Sequence, residues 1–185
     1  MTRIIAGAAR GLPLDVPGSG TRPTSDRVRE SLFGALDSAD AIDGARVLDL
    51  FAGSGALGLE CASRGAASVD LVEKAGMAAK VATRNAAKVA QSGAVLARVH
   101  TVAAATYLKS AHTPWDLVFL DPPYDISDAE LNAVLVLLAA RLSEDATVIV
   151  ERAKRSPAPD WHAAGLAAIR EKTYGDTTLW WGQPA

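Results

Sequence analysis

The sequence has a single cysteine, Cys61, no large excess of either charge, and no apolar run long enough to cross a bilayer. One thiol cannot close an internal disulfide, so the core alone must hold the fold, and a reducing compartment is no obstacle. With 19 Lys and Arg against 21 Asp and Glu, the formal net charge is −2, which excludes a protein that coats nucleic acid by bulk positive charge. The longest aliphatic stretch, residues 131–140, falls short of the ~18–20 residues a spanning helix needs. Met1-Thr2-Arg3 is not followed by a secretory core, and the expected location is cytoplasmic. The three histidines, His100, His112 and His162, lack the spacing of metal ligands, so no metal is expected. Internal repeats and long low-complexity tracts are also missing. What is present is 185 residues, 49% of them hydrophobic, which fits one globular domain able to bury a core without staples.

From Arg46 onward, short Val/Leu/Ile-rich runs alternate with longer Ala/Leu-rich segments, the pattern of an α/β protein whose helices cover both faces of a mostly parallel sheet. Strands are expected at 46–51, 68–73, 95–102, 115–121 and 146–151. After the fourth, Leu131, Val134, Leu135, Leu138 and Leu142 share one helical face, with Asp125, Ser127 and Asp128 available as caps. An alanine-rich helix is expected over 77–91, ending at Gly93. Beyond Pro157 and Pro159, segments 166–173 and 177–182 read as an antiparallel hairpin, with Trp180 and Trp181 on opposite faces, one buried and one exposed. At the other end, residues 3–6 and 12–16 suggest a small hairpin and 17–23 a linker. A helix then starts near Thr24 or Ser25, with Val28, Leu32, Ala35 and Leu36 facing inward. Residues 1–22 are therefore expected to be an appendage on a main domain of residues 23–185.

The segment from Leu48 through Asp49, Phe51, Gly53, Ser54, Gly55 and Gly58 is a strand running into a glycine turn and a helix. Gly53 and Gly55 permit curvature and close ligand approach, and the new helix presents free N–H groups. Twenty residues beyond Gly53 stands Glu73, placed to accept hydrogen bonds from both hydroxyls of a ribose. These features indicate a nucleoside cofactor. Asp49 discriminates among such cofactors, because a carboxylate before the turn would repel a pyrophosphate but can meet an ammonium. That favours S-adenosylmethionine over a nicotinamide dinucleotide. The cofactor set is then Asp49, Phe51, Gly53, Ser54, Gly55 and Glu73, together with Asp121.

Asp121-Pro122-Pro123-Tyr124 follows the fourth strand directly. In an open α/β sheet the carboxyl ends of the strands line the ligand crevice. Two prolines stiffen the loop, and Tyr124 offers a flat π surface. Asp121 and the Pro122 carbonyl can accept the two hydrogens of an exocyclic amine, aiming its lone pair at an electrophilic methyl.

The glycine loop and Asp121-Pro122-Pro123-Tyr124 resemble the amino-methyltransferases that modify adenine N6 or guanine N2 in nucleic acids. A second resemblance runs through Arg3-Ile4-Ile5-Ala6-Gly7, Arg10-Gly11, the segment from Arg22-Pro23-Thr24-Ser25-Asp26-Arg27 to Phe33, and Tyr174-Gly175-Asp176-Thr177. It is to the RsmD-type 16S ribosomal RNA guanine-N2 methyltransferases and covers nearly the whole chain. The resemblance implies a seven-stranded Rossmann-like methyltransferase fold and one guanine of small-subunit rRNA as target, within a partly assembled subunit. It also implies catalytic roles for Asp121, Pro122, Pro123 and Tyr124. One departure is Thr101-Val102-Ala103-Ala104-Ala105, which offers no Asp or Asn where many relatives contact adenine.

With RNA as substrate, Arg3, Arg10, Arg22, Arg27 and Arg29 are the expected phosphate contacts. Residues 1–30 carry a formal charge of +2 and the remainder −4, a basic arm on an acidic domain. Two other readings are a DNA adenine-N6 methyltransferase, for whose recognition domain the chain has little room, and a nicotinamide-dependent oxidoreductase, which Asp49 disfavours.

Overall fold

The computed structural model describes residues 1–18 and 24–185; Arg22 and the end of the expected linker lie outside these. Strands β1 (Arg46–Asp49), β2 (Ser68–Val72), β3 (Arg98–His100), β4 (Trp115–Leu120) and β5 (Leu142–Ala153) run parallel. Strands β6 (Leu166–Tyr174) and β7 (Thr177–Pro184) form an antiparallel hairpin that enters the sheet with β7 against β5. The seven-stranded order is β3-β2-β1-β4-β5-β7-β6.

Side chains alternate across the sheet with period two and feed two cores. Leu117 and Phe119 join the first, with helices α1 (Asp26–Ser38), α2 (Ala56–Ser63) and α3 (Gly76–Ala90). Val118 and Leu120 join the second, with α4 (Ala104–Ser110) and α5 (Asp128–Ala139). Trp181 belongs to the first core, while Trp180 packs half-buried against the second instead of being exposed. Helix α1 starts from the Ser25 cap, and α5 from a capping box in which Ser127 and Glu130 bond reciprocally. No described helix is long and apolar enough to cross a membrane.

The largest shifts from the expected boundaries are at β3 and β5, and β1 ends at Asp49, two residues early. Strand β3 shrinks from 95–102 to three residues, because as an edge strand it has only β2 to pair with, and the Val102 N–H bonds back to the His100 carbonyl. Strand β5 begins at Leu142, expected to be the last residue of the preceding helix. Helix α5 ends before it, the Arg141 N–H bonds to the Leu138 carbonyl, and Leu142 pairs with Trp115. Leu142 packs against the second core from β5, the side on which a continued α5 stripe would also have fallen, so helical periodicity extended one turn too far.

The N-terminal hairpin is not an appendage. Only Arg3 and Pro13 form a regular bridge, yet Ile4, Ala9 and Leu14 are buried in the first core. Gly7 passes so close to α2 that a Cβ there would lie 1.9 Å from the Ser63 carbonyl oxygen. Glu60 of α2, fully buried, receives the N–H groups of Ile5 and Ala6, the Arg64 Nε–H, and an N–H of Arg29 at 3.2 Å. Arg29, 1% exposed, also donates to the Arg3 carbonyl. Its guanidinium thus belongs to the interior, which corrects the expectation that it grips phosphate. Glu60→Ala, which leaves the buried Arg29 only the longer pair with Asp26 at 3.5 Å, is expected to lower stability by about 3–5 kcal/mol, measured by urea unfolding. Hydrogen exchange at Ile5 and Ala6 should accelerate.

Candidate active site

The strand order reverses between β1 and β4, so their carboxyl ends open a crevice at a topological switch point. A cleft of about 360 Å³ lies there. Asp49, Phe51, Gly53, Ser54, Glu73, Asp121, Pro122, Pro123 and Tyr124 all line it, so the structure brings the two expected groups into one site. Thr2, Val16 and Pro17 from the hairpin segment complete one wall.

The glycine residues divide their work. Gly53 (φ 55°) and Gly55 (φ 86°) hold left-handed conformations that form the turn into α2. At Gly58 the reason is packing, since a Cβ would lie 2.4 Å from Leu71 Cδ2 on β2. Gly55 shapes the loop without lining the cleft. Glu73, just past β2, accepts the N–H groups of Gly53 and Ala75, each at 2.9 Å, which ties the loop to the strand end. Two acceptor positions per carboxylate oxygen leave it capacity for ligand hydroxyls. Asn85, fully buried on α3, bonds the Ser54 carbonyl and both backbone groups of Asp15, fixing the glycine loop and the hairpin segment to one side chain.

Asp49 is 1% exposed; one carboxylate oxygen accepts the Gly58 N–H at 3.2 Å, and the other has no partner among the described residues. Burial, reinforced by the charge of Glu73 and opposed by the Gly58 and Phe51 amides, pushes its pKa up to about 7. A buried acceptor with a free oxygen is suited to a cationic ligand group.

Just past the end of β4, Asp121 stands two residues beyond Phe119, the partner of Asp49 in the ladder. Its pKa is raised by burial first, then by the charges of Glu151 and Asp49, while a Thr24 hydrogen bond opposes the rise. Thr24 Oγ1 lies 3.2 Å from Asp121 Oδ2 and 2.9 Å from Glu151 Oε2. Burial likewise raises Glu151, against the same Thr24 bond. The Pro123 carbonyl is taken by the Ile126 N–H at 3.1 Å; among the described residues no backbone N–H bonds the Pro122 carbonyl. Tyr124 stands at the rim, 65% exposed.

Glu151 and Thr24 are site residues that the sequence reading passed over. Glu151 ends the otherwise apolar run Val148-Ile149-Val150, and a charged residue at that position of a central strand is the signal for it. Thr24 reads only as a candidate helix cap, yet Ser25 does the capping and leaves Thr24 free to reach the carboxylates. The expected phosphate contacts Arg3, Arg10 and Arg27 are exposed, whereas Arg29 borders the cleft from within the core. Tyr174 hydrogen-bonds to Ser31 and so latches the terminal hairpin to α1.

The raised Asp49 pKa fixes a sign. As pH rises from about 4 to about 7, the unfolded state ionises this group while the folded state resists, so folded stability falls. Asp49→Asn, which keeps an acceptor for Gly58 but cannot ionise, is expected to stabilise the ligand-free protein above neutral pH by on the order of 3–4 kcal/mol. It should also flatten part of the decline in urea-unfolding stability across that interval.

A model of the family described as Conserved hypothetical protein 95 matches residues 2–183. The Escherichia coli (strain K12) protein named ribosomal RNA small subunit methyltransferase D is 40% identical over 174 residues, covering 94% of this chain and 85% of its own. Its Haemophilus influenzae namesake is 36% identical over 179 residues, covering 94% and 89%. Among solved structures, a putative methyltransferase of Escherichia coli, 38% identical, superposes with a TM-score of 0.82 over 98% of this chain and 97% of its own. With the Rossmann-like sheet order and the Asp121-Pro122-Pro123-Tyr124 loop at the switch point, these matches establish that the chain belongs to the RsmD family of small-subunit ribosomal RNA methyltransferases.

Proposed function

We propose that the protein transfers a methyl group from S-adenosylmethionine to the exocyclic N2 of one guanine in 16S rRNA, acting on a partly assembled small subunit in the cytoplasm. The observation that carries this reading is the meeting, in one cleft, of a site for a cationic nucleoside and a loop shaped for a planar amine. The cofactor fits the residues present. The free Asp49 oxygen suits its ammonium, Glu73 its ribose hydroxyls, and the turn through Gly53 gives room for close approach, with no atom within 4 Å of where a Cβ would stand. Ala104, at the start of α4, lines the same cleft without a polar side chain, so backbone groups are left to contact the adenine.

When bound, the cofactor supplies an electrophilic methyl on a sulfonium. The chain supplies orientation, which accounts for much of the acceleration in a direct transfer. Asp121 and the Pro122 carbonyl accept the hydrogens of the target amine, and Tyr124 stacks on the base. These acceptors become more favourable as positive charge develops on a nitrogen whose lone pair is otherwise conjugated into the ring. The target base has to be unpaired or extruded to enter. Arg3, Arg10 and Arg27, together with Arg22, hold the surrounding phosphates; Arg3 and Arg10 belong to the segment that also contributes Thr2 and Val16 to the cleft, and Arg27 stands on α1.

The direct test is radiolabelled methyl transfer onto small-subunit rRNA and its assembly particles from cells lacking the enzyme. The expected product is N2-methylguanosine; N6-methyladenosine, or labelled DNA alone, overturns the reading. Asp121→Ala is expected to abolish transfer while calorimetry still detects cofactor binding, and full activity in that variant rejects the assigned role. Replacing Arg3, Arg10 and Arg27 by Gln should weaken RNA binding and reduce its log–log salt slope by about 0.7–0.9 per arginine. An unchanged slope removes these residues from the interface.

A further inference from the structure

We propose that Glu151 selects the base: its carboxylate, held beside Asp121 by the Thr24 hydroxyl, accepts the N1–H of a guanine whose N2 amine lies against Asp121 and the Pro122 carbonyl. The inference rests on the function proposed above and names the residue that makes the site a guanine site.

Glu151 ends the apolar stretch of β5, borders the main cleft, and also borders an adjoining recess formed with Asp121, Pro122 and Tyr124. It is therefore exposed to whatever the Asp121 loop holds. The shared contacts to Thr24 Oγ1 place Asp121 Oδ2 and Glu151 Oε2 no farther apart than about 6 Å. That is within reach of two neighbouring donors on one base edge. Independently, Asp49, a residue 1% exposed with one unpartnered carboxylate oxygen, lines the same cleft and marks it as a ligand site.

The proton inventory assigns the two acids different parts. A threonine hydroxyl has one proton and can donate to one carboxylate only. Both short contacts are satisfied if Thr24 donates to Glu151, the nearer at 2.9 Å, and accepts from a protonated Asp121 at 3.2 Å. Burial raises both acids, and Asp121, which also faces the charges of Glu151 and Asp49, is the one raised well above its ordinary value. Glu151 is then the ionised acceptor, and the remaining oxygen of Asp121 is available to an amine hydrogen. Guanine presents a donor at N1 beside its N2 amine. Adenine presents a lone pair at N1 beside its N6 amine, which an ionised Glu151 would repel. A site built to hydrogen-bond a substrate group rejects the analogue lacking it far more strongly than an apolar pocket does.

The test uses the full-length protein and small-subunit particles reconstituted with guanosine or 2-aminopurine riboside at the mapped target position. 2-Aminopurine keeps the N2 amine but replaces the N1–H with a lone pair. Wild type is expected to prefer guanine by about 100-fold in kcat/KM. Glu151→Gln, whose amide can still accept from Thr24 and can donate to a lone pair, should lower kcat/KM for guanine and narrow that preference to within about 10-fold. An equal loss on both substrates, or unchanged guanine activity, overturns the proposal. If Glu151→Gln fails to fold, Thr24→Val removes the orienting hydroxyl while leaving both acids. It should narrow the same ratio, and an unchanged ratio is equally fatal. Wild type that methylates neither substrate at N2 refutes the underlying function reading, an outcome distinct from a loss of selectivity.

Discussion

A carboxylate buried in α2 holds the N-terminal third of the molecule together. Glu60 accepts from the hairpin backbone, from Arg29 of α1 and from Arg64 at the end of its own helix. An unpaired charge at that depth would be expensive, so the donors and the acceptor require one another. Arg29 reaching Glu60, with Val28, Leu32, Phe33 and Leu36 in the first core, fixes α1 against α2 and the sheet. That placement sets its N-terminus over the carboxyl ends of the strands, with Ser25 capping the helix and Thr24 directed at Asp121 and Glu151. The position of a residue in the catalytic cleft thus depends on an ion pair in the interior.

The cleft carries charge of the same sign as the phosphates of its polymeric substrate. Asp49, Asp121 and Glu151 face the same space, and burial raises the pKa of each. Such a site disfavours phosphate and favours a cofactor bearing positive charge and a base offering hydrogen-bond donors. The exposed Arg3 and Arg10 of the N-terminal segment and Arg27 of α1 lie outside this acidic interior. The near-neutral net charge conceals this separation.

Much of the architecture was legible because buried strands and glycine turns have strong local signatures. The β1 turn, Glu73 and the Asp121-Pro122-Pro123-Tyr124 loop all fall where the sequence places them, and the structure gathers them into one cleft. Less legible was whatever depends on a distant partner. Arg29 reads as a surface cation until Glu60, 31 residues away, turns it inward. Leu142 satisfies a helical stripe and a strand equally well, and only its pairing with Trp115 decides between them. The hairpin reads as an appendage because its burial comes from α2 and its polar anchoring from Asn85, neither of which is local. Glu151 and Thr24 carry no motif of their own.

The contact between Thr24 and Glu151 spans 127 residues of sequence, whereas the hairpin's bonds to Glu60 span 54 and 55. Chain synthesis therefore separates two events. The N-terminal segment can dock on α2 as soon as that helix has emerged, long before β4 and β5 exist. Thr24 waits for strands that come much later, and a nascent or truncated chain lacking β5 contains the glycine loop and Asp49 without the complete acid pair. The order of translation thus sets the glycine loop in place before the Thr24-bridged acid pair can form.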